Sequence, residues 1–350
     1  MIIRVLSHRC RSRILITILP FFLSSCLPFQ SEEETRFERY ATRLANVFDI
    51  KAPATPPLIS IKAPSVRDVQ ITIPRLTLGL LDSYELRHCG LFQLIAEKNS
   101  SLGKVQDAFA NFDYQLSLTQ TLEQCLTEEK NNTSATNPHS LSPKLRSELE
   151  TLYQTKQQHL QWHWHNLLTS SETMQKQLLG NQWLPDAAFS HRATLSLALT
   201  QLREQIDHEQ TFIPETVIGL QEAIEKTPLI GPLYFSLIRT TQWLNLASEM
   251  VKQEQSNILC GPQRDPTQFQ RLNNVFQRYY IEALQPYTAK LDKLYIALSP
   301  NIEIIAVAFD SVDQPYPITQ AHRQFRVAIK EHVMVWQTLF QRCGHLPELK

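Results

Sequence analysis

The chain has 350 residues, enough for one large domain or two smaller ones, and 43% apolar content argues against wholesale disorder. Only 8 glycines stand against 20 prolines. That scarcity disfavours all-β folds and phosphate-cradling loops, which consume glycine, and favours helices with proline-marked ends. Formal charge is zero, but Arg4, Arg9, Arg11 and Arg13 all fall in the first 25 residues, which hold no acid. The 34 basic residues less these four leave 30 against 34 acids, a net of about −4 with no basic stripe, so nucleic acid is not an expected partner.

Residues 1–25 read as an export leader. A basic stretch, 1–13, precedes an apolar run at 14–23, about half the ~20 residues that a bilayer-spanning helix needs. Leu23-Ser24-Ser25-Cys26 fits the bacterial lipobox. Small side chains suit the peptidase, and the thiol accepts a diacylglyceryl group before cleavage frees its amine for a further acyl chain. The bland alternatives are an ordinary signal peptide with a chance cysteine or an uncleaved anchor. The order and lengths of the three regions favour lipidation of Cys26 and attachment to a membrane through two or three acyl chains. Leu27 stands where an Asp would favour inner-membrane retention, so the expected location is the outer membrane, facing the periplasm.

A helix is predicted over 32–49, with Phe37, Tyr40, Leu44 and Phe48 on one stripe. Residues 52–57 (Ala-Pro-Ala-Thr-Pro-Pro), with Pro64 and Pro74 beyond, read as an extended run along the body, and 69–73 alternates like a short strand at best. Asp82 and Glu85 form a helix-start capping pair, from which a helix is expected through Cys89 to about Glu97. A second helix ends near Glu129, and the polar stretch 130–143 is the best internal boundary. Residues 145–168 read as a long helix, and further helices fit 191–208, 215–225, 233–251 and 268–298, the last with a kink or break at Pro286. The apolar, β-branched stretch 302–309 leaves strand and buried helix undecided, and a final helix over about 319–342 stops at Gly344. The fold expected is all-α: a lipid tether, short helix and Pro-rich extended segment over 26–80, then a multi-helix bundle-like body over 81–350, divisible into two lobes near 130–143.

Beyond the leader and Cys26, four cysteines remain: Cys89, Cys125, Cys260 and Cys343. An even number in an oxidising compartment predicts disulfides, and four cysteines allow three pairings. Cys89–Cys125 with Cys260–Cys343 is favoured, because the first pair closes a local helical hairpin. Bridged Cα atoms lie within ~7 Å, so the two arms must match in length. That condition starts the second helix late, near Asp107 or Asn111, with 99–103 inside a wide turn. No C-x-x-C occurs, so a zinc reading of these cysteines is poor.

Gly79-Leu80-Leu81-Asp82, His88-Cys89-Gly90-Leu91, the run Glu97-Lys98-Asn99-Ser100-Ser101-Leu102-Gly103-Lys104-Val105, and Asn274-Val275-Phe276-Gln277-Arg278-Tyr279-Tyr280 resemble signatures of one family. It comprises the bacterial lipoproteins catalogued as domain of unknown function 3080. The resemblance spans essentially the whole chain after the leader, and the Asn-Ser-Ser-Leu-Gly stretch is its most specific part. It implies an exported, lipid-anchored, mostly helical protein, and it brings no catalytic residues to carry over.

His159 and His163 stand four apart on a predicted helix, the spacing of helical metal sites. The glutamate of a zinc-protease helix is missing and no third ligand is identifiable, so histidines at a core edge are the better reading. Asn99, Ser100, Ser101 and Lys104 lie in a turn with one glycine, too few for a phosphate loop, yet the turn is the first place to look for a polar ligand. Gly-x-Ser-x-Gly is absent, and Glu148 with Glu150 and Glu222 with Glu225 read as solvated helix faces. No cofactor is implied. These features predict a non-enzymatic envelope accessory that binds or scaffolds, with an envelope protein as partner. The alternative is an envelope hydrolase or a small-ligand or metal-binding protein.

Overall fold

The computed structural model describes residues 31–76, 86–131, 141–206, 212–260 and 264–344. The leader, Cys26, most of the polar 130–143 stretch and the Asp82 and Glu85 pair lie outside these residues. The α-helices are α1 (Glu32–Phe48), α2 (Val66–Val69), α3 (Leu91–Asn99), α4 (Ala108–Asn131), α5 (Pro143–Ser170), α6 (Glu172–Leu178), α7 (Arg192–Glu204) and α8 (Thr216–Lys226). They continue as α9 (Ile230–Glu254), α10 (Thr267–Val275), a π-helical segment (Phe276–Leu284), α11 (Gln285–Asp310) and α12 (Ile318–Arg342). The fold is all-α, with no strand among the described residues and a single isolated bridge between Ile61 and Gly180.

α9 is the central helix. It buries Leu233, Leu237, Trp243, Leu244, Ala247 and Val251, and packs along α12 on one side and α1 on another. α1 is cut to fit that place. Ser31 caps it, its Oγ accepting from the Glu34 N–H at 3.1 Å, and three acids in the first turn suit the helix dipole. Its stripe of Phe37, Tyr40, Leu44 and Phe48 is buried, as the sequence spacing requires.

Glu34 enters the core with this helix. Its carboxylate accepts from Trp183 Nε1 at 2.6 Å, from Trp243 Nε1 at 2.8 Å, and from both Nε and a terminal nitrogen of Arg239. Arg239, fully buried on α9, also donates to the carbonyls of Pro56 and Pro57 at 2.9 and 3.1 Å. One buried ion pair therefore joins α1, α9 and the proline-rich stretch.

That stretch departs from the sequence reading at 69–73. Val66–Val69 is a helical turn, and no strand follows it. The Ile71 N–H and C=O are instead taken by the side chain of Asn166 on α5, both at 2.8 Å. A single side-chain amide replaces the strand partner, and no alternation pattern encodes such a partner.

α3, α4 and the start of α5 surround a smaller core of their own, with Leu86, Leu91, Leu118, Leu122, Leu145 and Leu149 buried together. The expected helix through Cys89 is corrected here: residues 86–90 form turns and α3 begins only at Leu91. Gly90 sits at φ 79°, a left-handed break that no helix passes through. The late start of the second helix is as the arm-length argument requires. α4 opens at Ala108, and Asp107 Oδ1 accepts from the Ala110 N–H at 2.9 Å. Both disulfides join the favoured partners, with Cα separations of 5.4 Å for Cys89–Cys125 and 5.1 Å for Cys260–Cys343. Reduction of the Cys89–Cys125 bridge should lower unfolding free energy by about 2–4 kcal/mol, read as a shift of the urea midpoint with and without reductant.

The helix expected over 268–298 is not one α-helix. It is α10, a π-helical segment whose last bond runs from the Gln285 N–H to the Tyr280 carbonyl, and α11 with Pro286 in its first turn. Proline supplies no N–H and crowds the carbonyl four residues back. The wider π turn relieves that clash where a kink was anticipated. α11 then runs through Pro300 to Asp310, so 302–309 is helix. Burial of Leu298, Ile302, Ile305 and Phe309 on one stripe offsets the donor lost at Pro300. α12 ends as expected, with Gly344 at φ 73°. Among the described residues no helix is long and apolar enough to cross a membrane.

Candidate functional site

Two segments singled out in the sequence, the 97–105 stretch and the histidine pair, meet on one side of the α3–α4–α5 unit. The 99–104 turn closes on itself. Ser100 Oγ accepts from the Gly103 N–H at 3.1 Å, and a Cβ on Gly103 would lie 2.3 Å from the Glu97 carbonyl oxygen, so only glycine fits. Asn99, Ser101 and Lys104 stand exposed. The residue of this stretch that reaches inward is Lys98, which the sequence reading did not single out.

Lys98 Nζ donates to Gln106 Oε1 at 2.6 Å and to Asn111 Oδ1 at 2.9 Å, and lies 5.0 Å from the centre of the Tyr114 ring. Asn111 Nδ2 stands 3.3 Å from His163 Nδ1. From α5, Lys156 Nζ donates to the buried Gln115 Oε1 at 3.1 Å. His159, 4% exposed, stacks on Trp162 with ring centres 4.7 Å apart.

The electrostatics of this patch are one-sided. Burial pushes the Lys98 ammonium down, and burial with the neighbouring Lys98 charge pushes Lys156 down. Burial, reinforced by Lys156, His159 and Lys98, holds the His163 ring down at about 4. Burial and Lys156 lower His159 as well. No carboxylate forms an ion pair with Lys98 or Lys156 among the described residues. Two side-chain nitrogens, His159 Nδ1 and His163 Nε2, are buried without a hydrogen-bond partner among the described residues.

These surroundings bear on His159 and His163 as a candidate metal pair. Among the described residues no group of three His, Cys, Asp or Glu side chains comes together. The nearest charges are ammonium groups, which repel a divalent cation. The site presents donors and positive charge, not ligand lone pairs.

Sequence reasoning found no sign of a second histidine cluster, because its members lie far apart along the chain. Ser248 Oγ on α9 and His332 Nδ1 on α12 are 2.8 Å apart, and Tyr40 on α1 stands 2.9 Å from His332 Nε2. Trp336 Nε1 donates to the Tyr40 oxygen at 3.0 Å, and the Ser248 hydroxyl donates to the Leu244 carbonyl at 2.7 Å. The serine–histidine pair resembles half of a hydrolase triad, yet His332 and Ser248 are sealed in the core and a tyrosine takes the place of the acid. No substrate reaches that serine. The carboxylates at 148, 150, 222 and 225 are each ion-paired on the surface, with Lys144, Arg146, Lys226 and Lys176 respectively. None is placed for general acid–base work.

Comparison with curated proteins and with solved structures finds no match. Residues 37–347, nearly the whole described body, match a family model. The chain belongs to the family described as "Protein of unknown function (DUF3080)".

Proposed function

We propose that this chain is an envelope lipoprotein, exported, processed at Cys26 and held by lipid on the outer membrane facing the periplasm. Its helical body binds or scaffolds envelope components as a non-enzymatic accessory. One observation carries the reading: α1 starts at Glu32, directly behind its cap Ser31, and is built into the core at once through Glu34 and Phe37. Four residues separate Cys26 from Ser31, so five Cα steps span at most ~18 Å when fully extended. A lipid on Cys26 would therefore hold the body against the bilayer surface without a spacer, as suits contact with membrane-proximal partners. The sealed Ser248–His332 pair cannot itself serve the hydrolase alternative, since no substrate reaches it.

Metabolic labelling with a clickable palmitate analogue tests the anchor. The wild-type chain should be labelled and should sediment with outer membranes, whereas Cys26→Ala should lose the label and leave that fraction. An unlabelled wild-type chain, unprocessed and recovered from the cytosol, would overturn the proposal. Crosslinking in intact envelopes should then return a reproducible protein partner.

A further inference from the structure

We infer that Lys98, Lys156 and His163 form a binding site for a tetrahedral dianion, phosphate or a terminal phosphomonoester. The inference is independent of anchoring at Cys26. It rests on the hydrogen-bond roles in the patch, which are fixed one after another. Lys98 is donor-only, so the Asn111 atom it meets at 2.9 Å is the carbonyl oxygen, and the other end of that amide must donate. His163 Nδ1, 3.3 Å from that NH2, is then the acceptor, and the ring proton sits on Nε2. That N–H is buried and has no acceptor among the described residues. An orphaned buried donor is destabilising unless something outside the fold satisfies it.

The charges beside it point to what that partner is. Lys156 spends one of its three N–H groups, on a neutral amide, and Lys98 spends two, also on neutral amides. Elsewhere Lys144, Lys176, Lys226 and Lys290 each face a carboxylate. Two neighbouring ammonium groups without a counter-ion among the described residues repel one another, and a dianion cancels both charges where a single carboxylate would cancel one. A tetrahedral oxyanion has oxygens enough to accept from Lys98, Lys156 and His163 Nε2 together. Both lysines remain partly exposed, so rotation of their four-carbon arms admits an ion from solvent.

Calorimetric titration of the intact chain at pH 7.5 in chloride buffer tests this, with inorganic phosphate in one arm. The second arm uses phosphatidic acid vesicles, which present a phosphomonoester, against phosphatidylcholine vesicles. Saturable binding is expected in at least one arm, weakened tenfold or more by Lys98→Met and by Lys156→Met, and unchanged by Lys226→Met on the surface. Binding to free phosphate identifies a soluble source, and binding to phosphatidic acid alone identifies a lipid source. Absence of binding in both arms, or binding indifferent to Lys98→Met and Lys156→Met, overturns the site. Should those variants fail to fold, nitrogen-15 spectra of the wild-type histidines decide. The His163 Nε2–H signal must shift on saturation with whichever probe binds, and an unmoved signal also overturns it.

Discussion

Glu34→Gln is expected to lower the free energy of unfolding by about 3–5 kcal/mol, because it removes one partner of a buried charge pair and strands the other. Glutamine keeps the shape of the side chain but discards the charge that Arg239 faces. It also brings an NH2 group into a pocket whose other members, Trp183 Nε1, Trp243 Nε1 and the guanidinium, are all donors. At least one donor is left facing another. The loss should spread to the proline-rich segment, since Arg239 holds the Pro56 and Pro57 carbonyls from the same position. Urea titration at pH 7 measures the effect, and faster protease cleavage near residues 52–64 should accompany it. Replacing both partners, as Glu34→Leu with Arg239→Met, should cost less than the two single changes added together, because an apolar pair leaves no orphaned charge, although Trp183 and Trp243 Nε1 then lose their acceptor. A Glu34→Gln chain within 1 kcal/mol of wild type, by the same measurement, would show that the carboxylate does not organise this junction.

The parts of the molecule legible in its sequence are those with local causes. The stripe of Phe37, Tyr40, Leu44 and Phe48 announces α1, and Gly344 announces the end of α12, because periodicity and a left-handed stop are short-range properties. The placement of Asp107 as the cap of α4 was also within reach. A covalent bridge makes the two arms of a hairpin equal in length, and counting back from Cys125 gives the start. What stayed hidden depends on partners distant in sequence. Glu34 looks like an ordinary first-turn acid until Arg239 and two tryptophans close around it. Ile71 looks like a strand residue until Asn166 supplies both its bonds.

The candidate site shows the same division. His159 and His163 are visible as a pair through helical spacing, and a core edge is where the sequence places them, but spacing says nothing about the sign of the charge around them. Lys98 and Lys156 convert an apparent metal pair into a surplus of donors. The turn at 99–104 drew notice for its serines and lysine, whereas its contribution to the site comes from the residue just before it. The π-helical segment was half legible, since Pro286 requires a departure from α geometry but does not dictate its form.

Acid should destabilise the folded chain well above the pH at which carboxylates titrate, and His332 is the principal reason. Its neutral ring completes a one-way chain of bonds: Trp336 Nε1–H to the Tyr40 oxygen, the Tyr40 hydroxyl to His332 Nε2, His332 Nδ1–H to Ser248 Oγ, and the Ser248 hydroxyl to the Leu244 carbonyl. A proton on Nε2 would set a second donor against Tyr40, whose oxygen already receives one from Trp336. Burial therefore pushes the ring down to about 3 in the folded state, while the unfolded chain binds the proton near the ordinary 6.5. Between those values the unfolded state holds more protons, so stability falls as pH falls, by ~1.4 kcal/mol per pH unit, and levels off below about 3. From pH 6.5 to 4.5 this ring alone should remove roughly 2 kcal/mol, since the slope is only half developed at the unfolded pKa. His163, held down at about 4, acts in the same direction, so the wild-type curve by itself does not isolate His332. His332→Leu does. It should be less stable than wild type at pH 7, where Tyr40 and Ser248 lose their partner, yet its stability should decline less steeply on acidification, so that the two curves converge by about pH 4. Urea unfolding of both chains at pH 7.0, 5.5 and 4.5 gives the comparison. Parallel curves over that range would mean that the ring is not held neutral by this chain of bonds.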